Sequence, residues 1–486
     1  LIDDTQFAAW LSDSTSQRVA LYEIGVNTGG SEITRYLSNA IYTGGTATTP
    51  YVPAIAGGIK VPESISLSAE ASLSAGDVEI HNVDGTFDSW LDDIWINRSI
   101  KVFAGDVRWP RSDFRLMFNG YVANCVSKNR DRINLVLRDK FQALNAPIQE
   151  AKVGGTGSSK DALIPLCLGE CHNVTPVLVD PVTLEYQVHD GPVESIFEVR
   201  DNGVPVAATV DNATGKFRLA ATPVGAITCS VQGDKFGGAY SNTISKLVQR
   251  IVTGFGKASQ RFTSGDLDAA NLAAFETAHP QPVGLYIPAR MNLIEACRQL
   301  ASSVGAQMVP SRAGLLRLIQ ISFPGSATMN IPRSEQLDRS ISIAGRTDVV
   351  AAVKVNFCKN WTPQPGLQTA IPAEHLSLYA TEWLSATASN TTVRDTYNLF
   401  VDPVPRDTCL LVEADAQAEA ARDLAIRSQV RTTYRFDGAP SMLLLELGTA
   451  CNLYSNRFGL AAGKVGVITG LIPDPSDFHV TVEVTV

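Results

Sequence analysis

The residues best spaced for chemistry are Cys167, Cys171 and His172, which stand as Cys-x-x-x-Cys-His. Soft thiolates at short spacing can hold zinc or an iron–sulfur cluster, but a closed site needs about four ligands. No second short-spaced pair exists, and Cys125 and Cys229 could join only through the fold. The competing reading, buried thiols beside a strand, is the one adopted here, so no metal and no other cofactor is expected.

Other chemistry finds less support. There is no His-Glu-x-x-His zinc site and no Gly-x-Ser-x-Gly nucleophile elbow. The stretch Gly154–Lys160 ends in a lysine but lacks the phosphate-loop spacing, and it reads as a flexible joint. His81, His172, His189, His279, His375 and His479 are too scattered to suggest a shared site. Two carboxylate pairs, Asp92 with Asp93 and Glu419 with Asp423, could in principle do acid–base work. The first reads as the surface end of a short helix and the second as the solvated face of a longer one. Trp90, Trp95 and Trp109 lie close in sequence, as in an aromatic sugar platform, with core or interface packing as the alternative. No catalytic set emerges, and the chain is not expected to be an enzyme.

These residues must be positioned by a chain of 486 residues, long enough for about three or four domains. At 45% hydrophobic and 18% charged, the composition is that of a globular protein rather than a disordered one. The net charge of −9, with no long run of Lys and Arg, argues against stable grip on nucleic acid, which needs a basic face. Passage of DNA past an acidic wall without sticking remains compatible. The eight scattered cysteines read as reduced and buried, as in a protein assembled in a cytoplasm. No apolar run reaches the ~18 residues of a membrane-spanning helix, and the polar, acidic first 16 residues do not read as a signal peptide.

The periodicity predicts a mainly β, multidomain protein with an α+β insertion. Residues 1–148 read as a β-barrel-like domain with a short helix near Phe7–Leu11. Its strands are expected at Arg18–Ile24, Ser64–Ser68, Asp77–His81, Ser99–Ala104, Leu116–Val122 and Ile133–Leu137, with a turn at Asn27–Gly30. Residues 149–240 read as a small β module, with a hairpin turn at Asp201-Asn-Gly203, another turn at Asp211–Gly215 and a strand at Lys216–Ala220. Residues 241–325 read as α+β. Ile244, Leu247, Val248 and Ile251 have helical spacing, a second helix is expected at Leu267–Ala278, and a third at 293–304 with Asn292 and Glu295 as a capping box. A hairpin from Ala306 to Ile321 closes this module. Residues 326–486 return to a β-barrel-like domain, with strands at Ser441–Glu446, Val465–Thr469 and His479–Val486. One helix at Ala414–Ser428 is expected to pack through Ala414, Ala418, Ala421 and Ala425.

Residues 99–139 and 446–486 share one order: strand, loop, strand, polar turn, strand. Either the chain carries two related barrels or two β meanders resemble each other by chance. Two barrels per chain would let three copies build a ring of six similar units.

The N-terminal pattern resembles the first hub domain of siphophage tail-tip proteins. The likeness runs through Val19-Ala-Leu-Tyr-Glu-Ile24, Arg35-Tyr-Leu-Ser38, Tyr51-x-Pro53, Val83-Asp-Gly-Thr-Phe-Asp-Ser-Trp-Leu91, Ile100–Asp106, Phe118–Val122 and Leu135-Val-Leu-Arg-Asp139. Leu168–Asp180, Tyr186–Gly191, Gly305–Leu318 and Leu460–Gly466 are similar to the same group, so the likeness covers nearly the whole chain. It implies a structural baseplate hub in the virion tail tip, assembled in the host cytoplasm. That hub would be a homotrimer whose two barrels per chain make a pseudo-sixfold ring joining the tail tube to the central tip and gating DNA passage. The implied partners are the distal tail protein, the tape-measure protein and the central fibre or tip proteins, with DNA passing transiently and no membrane insertion. Some relatives hold an iron–sulfur cluster on four cysteines, and the spacing here does not match one. The chain shows no long appended fibre or lysin domain, so receptor binding and wall digestion would belong to partners. The alternatives are a hexameric distal-tail ring protein and a carbohydrate-binding tip protein with the Trp90–Trp109 region as its site.

Overall fold

The structure, a computed structural model, describes residues 2–44, 50–67, 72–73, 76–155, 157–364, 366–367, 371 and 373–486. Ser68, at the end of an expected strand, and Thr156, inside the glycine joint, lie outside the described residues. The chain is mainly β and multidomain, with several helices between its sheets. Leu1–Gln142, Val309–Asp348 and Val430–Val486 form one compact unit, and Ala143–Met308 with Val349–Gln429 form another. The segments 241–325 and 326–486 therefore each supply residues to both units.

The first unit holds two antiparallel-rich sheets. One has seven strands in the order Ser31–Ser38, Arg18–Thr28, Ser99–Asp106, Arg115–Asn129, Arg132–Arg138, Asp77–His81, Ile55–Gly57. Its opening hairpin is dictated locally. Gly29 and Gly30 both have positive φ, so the two-residue turn matches the strand twist, and Asn27 Oδ1 accepts from Gly30 N at 3.1 Å. Alternate residues of Arg18–Thr28 feed two cores: Ala20, Tyr22, Ile24 and Val26 on one face, Val19 and Leu21 on the other. The second sheet runs Met329–Ile331, Ala450–Leu453, Lys464–Asp474, His479–Thr485, Thr432–Gly438, Ser342–Arg346.

The two sheets repeat one ladder. In each, a three-strand meander pairs its last strand back onto a strand that precedes it, Asp77–His81 in one and Thr432–Gly438 in the other. Tyr121 stands between Ser99 and Arg138, and Val467 stands between Ala450 and Thr485. One step further both ladders bulge, between Val122 and Asn124 and between Ile468 and Gly470. Val122 N donates to Arg98 O at 2.8 Å, and Ile468 N donates to Thr449 O at 2.9 Å. Each bulge-side residue also accepts from a positive-φ residue, Asn97 (φ 64°) and Gly448 (φ 80°), both at 2.9 Å. Gly120 and Gly466 occupy the same ladder position. A Cβ on either would fall on the carbonyl oxygen of Arg138 (2.5 Å) or of Thr485 (2.7 Å). Bulges and glycines at one register are devices of a particular ladder rather than generic features of meanders. The two sheets are thus copies of one module, which we call the first and second repeats. They differ in that Met329–Ile331 pairs in parallel, where Arg18–Thr28 pairs antiparallel.

The second repeat corrects one expectation. Ser441–Glu446 is not a strand; Pro440–Leu444 forms a 3-10 turn started by Pro440, with Met442 and Leu443 buried. The run Met442–Leu445 has no alternation, so periodicity could not separate strand from turn. The first repeat has its 3-10 turn in the corresponding stretch, Asp88–Asp92.

The second unit builds a five-strand sheet ordered Val204–Pro205, Val193–Asp201, Ile227–Asp234, Leu166–Val174, Gly284–Ile287, beside a four-strand and a three-strand sheet. Asn202 and Gly203 take positive φ in the expected hairpin turn. Helices Ile244–Gly254, Ala269–Ala278 and Leu293–Ser302 fall where the spacing places them. The capping box does not form: Asn292 makes no side-chain cap, and it sits instead in a strand-like bridge to Pro147, beside which Leu293 N donates to Ala146 O at 3.0 Å. The late helix, Glu413–Arg427, packs on Ala352–Phe357 and Leu384–Ser389 through the opposite face to the one expected. Ala416, Glu419, Ala420, Leu424 and Ile426 are buried, while Ala414, Ala418, Ala421 and Ala425 are exposed. Small alanines line both faces, and the larger Leu424 and Ile426 decide which one turns inward.

The shared ladder makes a paired prediction. Gly120→Ala and Gly466→Ala should each destabilise the protein by roughly 1–3 kcal/mol through overpacking against a fixed carbonyl. Chemical denaturation of the two variants checks this; a neutral result at either position would remove that glycine from the shared design.

Candidate functional site

Cys167 and Cys171 lie on Leu166–Val174, the strand between Ile227–Asp234 and Gly284–Ile287. Both sulfurs are buried in an apolar core with Val188, Val231 and Tyr286. Cys167 Sγ donates to Val188 O at 3.3 Å and Cys171 Sγ to Leu168 O at 3.8 Å. The fold brings Cys229 to them from the neighbouring strand, where its Sγ donates to Val174 O at 3.9 Å. Burial drives the Cys171 and Cys229 thiols well above the ordinary thiol range, which favours the protonated, weakly nucleophilic form. His172 does not join them. Adjacent strand residues face opposite ways, and its Nε2 lies 3.2 Å from Glu170 Oε1. Cys125 belongs to the other unit. Among the described residues, no group of three or more His, Cys, Asp or Glu side chains is placed to hold a metal ion.

The sequence reading missed two buried ionic clusters, both in the second unit. His189 is fully buried; its Nδ1 accepts from Cys167 N at 3.1 Å, which puts the ring proton on Nε2, 3.4 Å from Asp234 Oδ1. Arg250 clamps the same carboxylate with two bonds of 2.6 and 3.0 Å. Burial alone would raise the Asp234 carboxyl, but the bonds from His189 and Arg250 outweigh it and hold it below its ordinary value. The second cluster corrects the reading of Glu419 as solvated. It is buried, bonded to Arg406 Nη2 at 2.5 Å and to Arg422 Nε and Nη2 at 2.7 and 2.8 Å. Arg406 also donates to Ser302 O at the end of helix Leu293–Ser302. These clusters fasten elements together. Arg406 also lines a cavity of about 370 Å³, together with Asp402, Asp423 and Arg427.

The other candidate residues of the first unit are likewise structural. Asp93 pairs with Arg35 at 2.6 Å. Trp90 and Trp95 are buried in the first-repeat core, where Trp95 Nε1 donates to Trp90 O at 2.6 Å. Trp109 packs against Trp10, with the rings tilted and their centroids 4.6 Å apart. Trp90 and Trp95 are core packing, whereas Trp109 is half-buried at the edge of two clusters.

The most specific surface in this unit is the one between its own repeats. In the second repeat, Lys464–Asp474 runs past its neighbour Ala450–Leu453, leaving one edge beyond Val467 to be paired. The segment after Ile55–Gly57 fills it. Ser64 and Glu63 lie opposite Gly470 and Leu471, Ile65 N donates to Thr469 O at 2.9 Å, and Val61 N donates to Pro473 O at 3.3 Å. The hairpin beyond, Asp474 to His479, seats on the first repeat. Ser476 Oγ meets the Tyr22 hydroxyl at 2.5 Å, and Ser476 O accepts from Asn39 Nδ2 at 2.8 Å. A side chain at Gly58 would collide with Ser476 Cβ and Asp474 Oδ1. Glu63 is buried against Arg312, which also donates to Leu445 O at 2.6 Å. The opening helix Asp4–Ser12 completes the cover, placing Phe7 and Leu11 in the second-repeat core.

No family model matches the chain, and no curated protein matches it. Solved structures similar to it include prophage tail proteins and a component of the Escherichia coli type VI secretion system. The prophage MuSo2 43 kDa tail protein from Shewanella oneidensis is 12% identical, with 95% of this chain and 98% of that chain covered and a TM-score of 0.36. A tail protein from Neisseria meningitidis is 13% identical, with 96% of each chain covered and a TM-score of 0.38. Prophage tail protein gp18 from Listeria monocytogenes is 8% identical, with 97% and 94% covered and a TM-score of 0.42.

Two outcomes follow. Gly58→Leu should destabilise by about 2 kcal/mol or more, because the Ser476 hairpin must lift from the first repeat; a denaturation midpoint equal to wild type would show that the hairpin is not seated there. Arg250→Met should cost about 3–5 kcal/mol by stranding a buried carboxylate. A carboxyl held below its ordinary value of 3.8 contributes stability above that pH and loses it as pH falls through the folded value. The variant's stability should therefore fall less between pH 5 and pH 2, roughly, than that of the wild type. Parallel acid limbs would count against Asp234 as the titrating group.

Proposed function

We propose that the chain is a non-enzymatic structural subunit of a phage tail, a baseplate hub at the tail tip. The observation that carries this reading is the duplicated ladder. A subunit with two copies of one module lets three chains present six similar surfaces, which is what a part joining a sixfold tube to a threefold tip must do. The sequence resemblance to siphophage hub proteins points the same way. Cys167, Cys171, Trp90, Trp95, Asp234 and Glu419 are held by packing and hydrogen bonds inside their own units, as in a structural subunit. The net charge of −9 suits a conduit that DNA crosses without binding. In this reading the ring contacts the distal tail protein, the tape-measure protein and the central tip or fibre, within a virion assembled in the host cytoplasm.

Electron microscopy of purified tails tests the reading through copy number and symmetry. Three copies around an axial opening, each contributing two similar barrels, is the expected result. Six copies would move the chain to a distal-tail ring, and its absence from tails would overturn the assignment.

A further inference from the structure

The three-strand sheet of the second unit has an edge that its own chain covers only in part. Ala352–Phe357 pairs with Leu384–Ser389 along its full length on one side. On the other side it pairs in parallel with Arg406–Asp407, and only at Val355 and Asn356. Thr408 N donates to Asn356 O at 3.1 Å, so the backbone groups of Asn356 face that second side. Residues two apart on a strand share their direction, so the N–H groups of Ala352 and Lys354 face it as well. Among the described residues no strand pairs with either of them there. The chain approaches through Leu399–Pro405, after Asn398 ends helix Thr391–Tyr397 in the left-handed conformation (φ 55°). This approach does not join the ladder, and the cavity of about 370 Å³ lies between it and the strand, lined by Ala352 and Lys354 from one side and by Leu399, Val401 and Val404 from the other. Its apolar side chains are uncovered: Phe400, Val401 and Val404 are 70%, 91% and 90% exposed. Of the cations at the cavity, Arg406 is bonded to Glu419 and Arg427 lies 3.6 Å from Asp423, whereas Lys354 makes no ion pair among the described residues.

We propose that this cavity binds a short extended segment of another tail polypeptide, which adds as a strand beside Ala352–Lys354. Three observations select that occupant. The open edge offers backbone groups at the spacing of a strand, which an extended peptide matches and a lipid or a sugar does not. Leu399, Val401 and Val404 form an apolar wall across the gap, so the alternate side chains of the segment are apolar. Lys354 is the cation left without a partner, so the segment carries a carboxylate beside its apolar residues. Pro403 and Pro405 stiffen the wall by fixing their own φ, which lowers the ordering cost of binding. The volume lies within the ~300–1,000 Å³ of ordinary ligand sites.

The source of the segment rests on the tail reading proposed above. The test presents the full-length protein with an array of short overlapping peptides covering the other polypeptides of the purified tail. Bound peptides should share an apolar run with an acidic residue beside it. Val401→Asp/Val404→Asp changes two exposed positions, so its denaturation midpoint should match wild type while its dissociation constant for those peptides rises about tenfold or more. Hydrogen exchange gives a readout that needs no variant: the Ala352 and Lys354 amides should exchange at least about tenfold more slowly with peptide bound. Failure of every peptide to bind, peptides that bind the double variant equally, or amides that do not slow overturn the site. Binding to vesicles of phosphatidylcholine and phosphatidylglycerol with no peptide bound also overturns it, because Phe400, Val401 and Val404 would then be a membrane contact. These results leave the copy number in purified tails, and with it the structural reading, untouched. Absence of the chain from purified tails overturns both.

Discussion

A strand that outruns its neighbour leaves backbone groups to be paired, and this constraint shapes the first unit. In both repeats the middle meander strand extends well past the first, and its pairing with the third bulges after Val122 or Ile468. In the second repeat the chain answers with its own residues. Val61, Glu63 and Ile65 complete the ladder, Gly58 stays bare so that Ser476 can approach, and Tyr22 caps the hairpin with a buried hydroxyl. The burial of Tyr22 pushes its hydroxyl above the ordinary phenol range, so it serves as a neutral hydrogen-bond group. Interior polar contacts of this kind fix register, because a slip of one residue would put every side chain on the wrong face.

The second unit depends on paired charges instead. Glu419 ties the late helix to Arg406 and, through it, to the end of helix Leu293–Ser302, and Asp234 ties His189 to Arg250. A buried ion pair is a poor source of net stability but a strict condition on geometry, since removing one member strands the other. Gly305 belongs to the same arrangement: it takes φ 64°, and a Cβ there would strike Arg422.

Local features were legible in the sequence and long-range ones were not. The Asn27–Gly30 and Asp201–Gly203 turns, the helix of Ile244, Leu247, Val248 and Ile251, and the alternation of Ile133, Leu135 and Leu137 are written in residues that touch within a few positions. The inward face of the late helix was not legible because alanines lie on both of its faces; Leu424 and Ile426 turn one of them inward, and the Arg406 that partners Glu419 there comes from outside the helix. Asn292 caps nothing and lies in a bridge to Pro147, a residue far from it in sequence. Cys167 and Cys171 could be paired from spacing, but their third companion, Cys229, comes from a neighbouring strand. Trp95 was ambiguous for a related reason: an aromatic run has the same spacing whether it lines a cleft or fills a core, and only the bond to Trp90 O shows which.

The repeated ladder also explains where the chain leaves the first unit. In the first repeat, the link between Ile55–Gly57 and Asp77–His81 is the segment that covers the other repeat. The corresponding link in the second repeat, between Ser342–Arg346 and Thr432–Gly438, is where Val349–Gln429 departs into the second unit. One connection, at one place in one topology, has thus been used in two ways. In the first repeat it closes a contact inside the molecule, and in the second it carries an inserted segment and leaves Ser342–Arg346 uncovered. Two identical repeats would each cover the other or each remain open. The divergence of this single link gives the first unit one edge that the chain covers itself and one that no strand pairs with among the described residues.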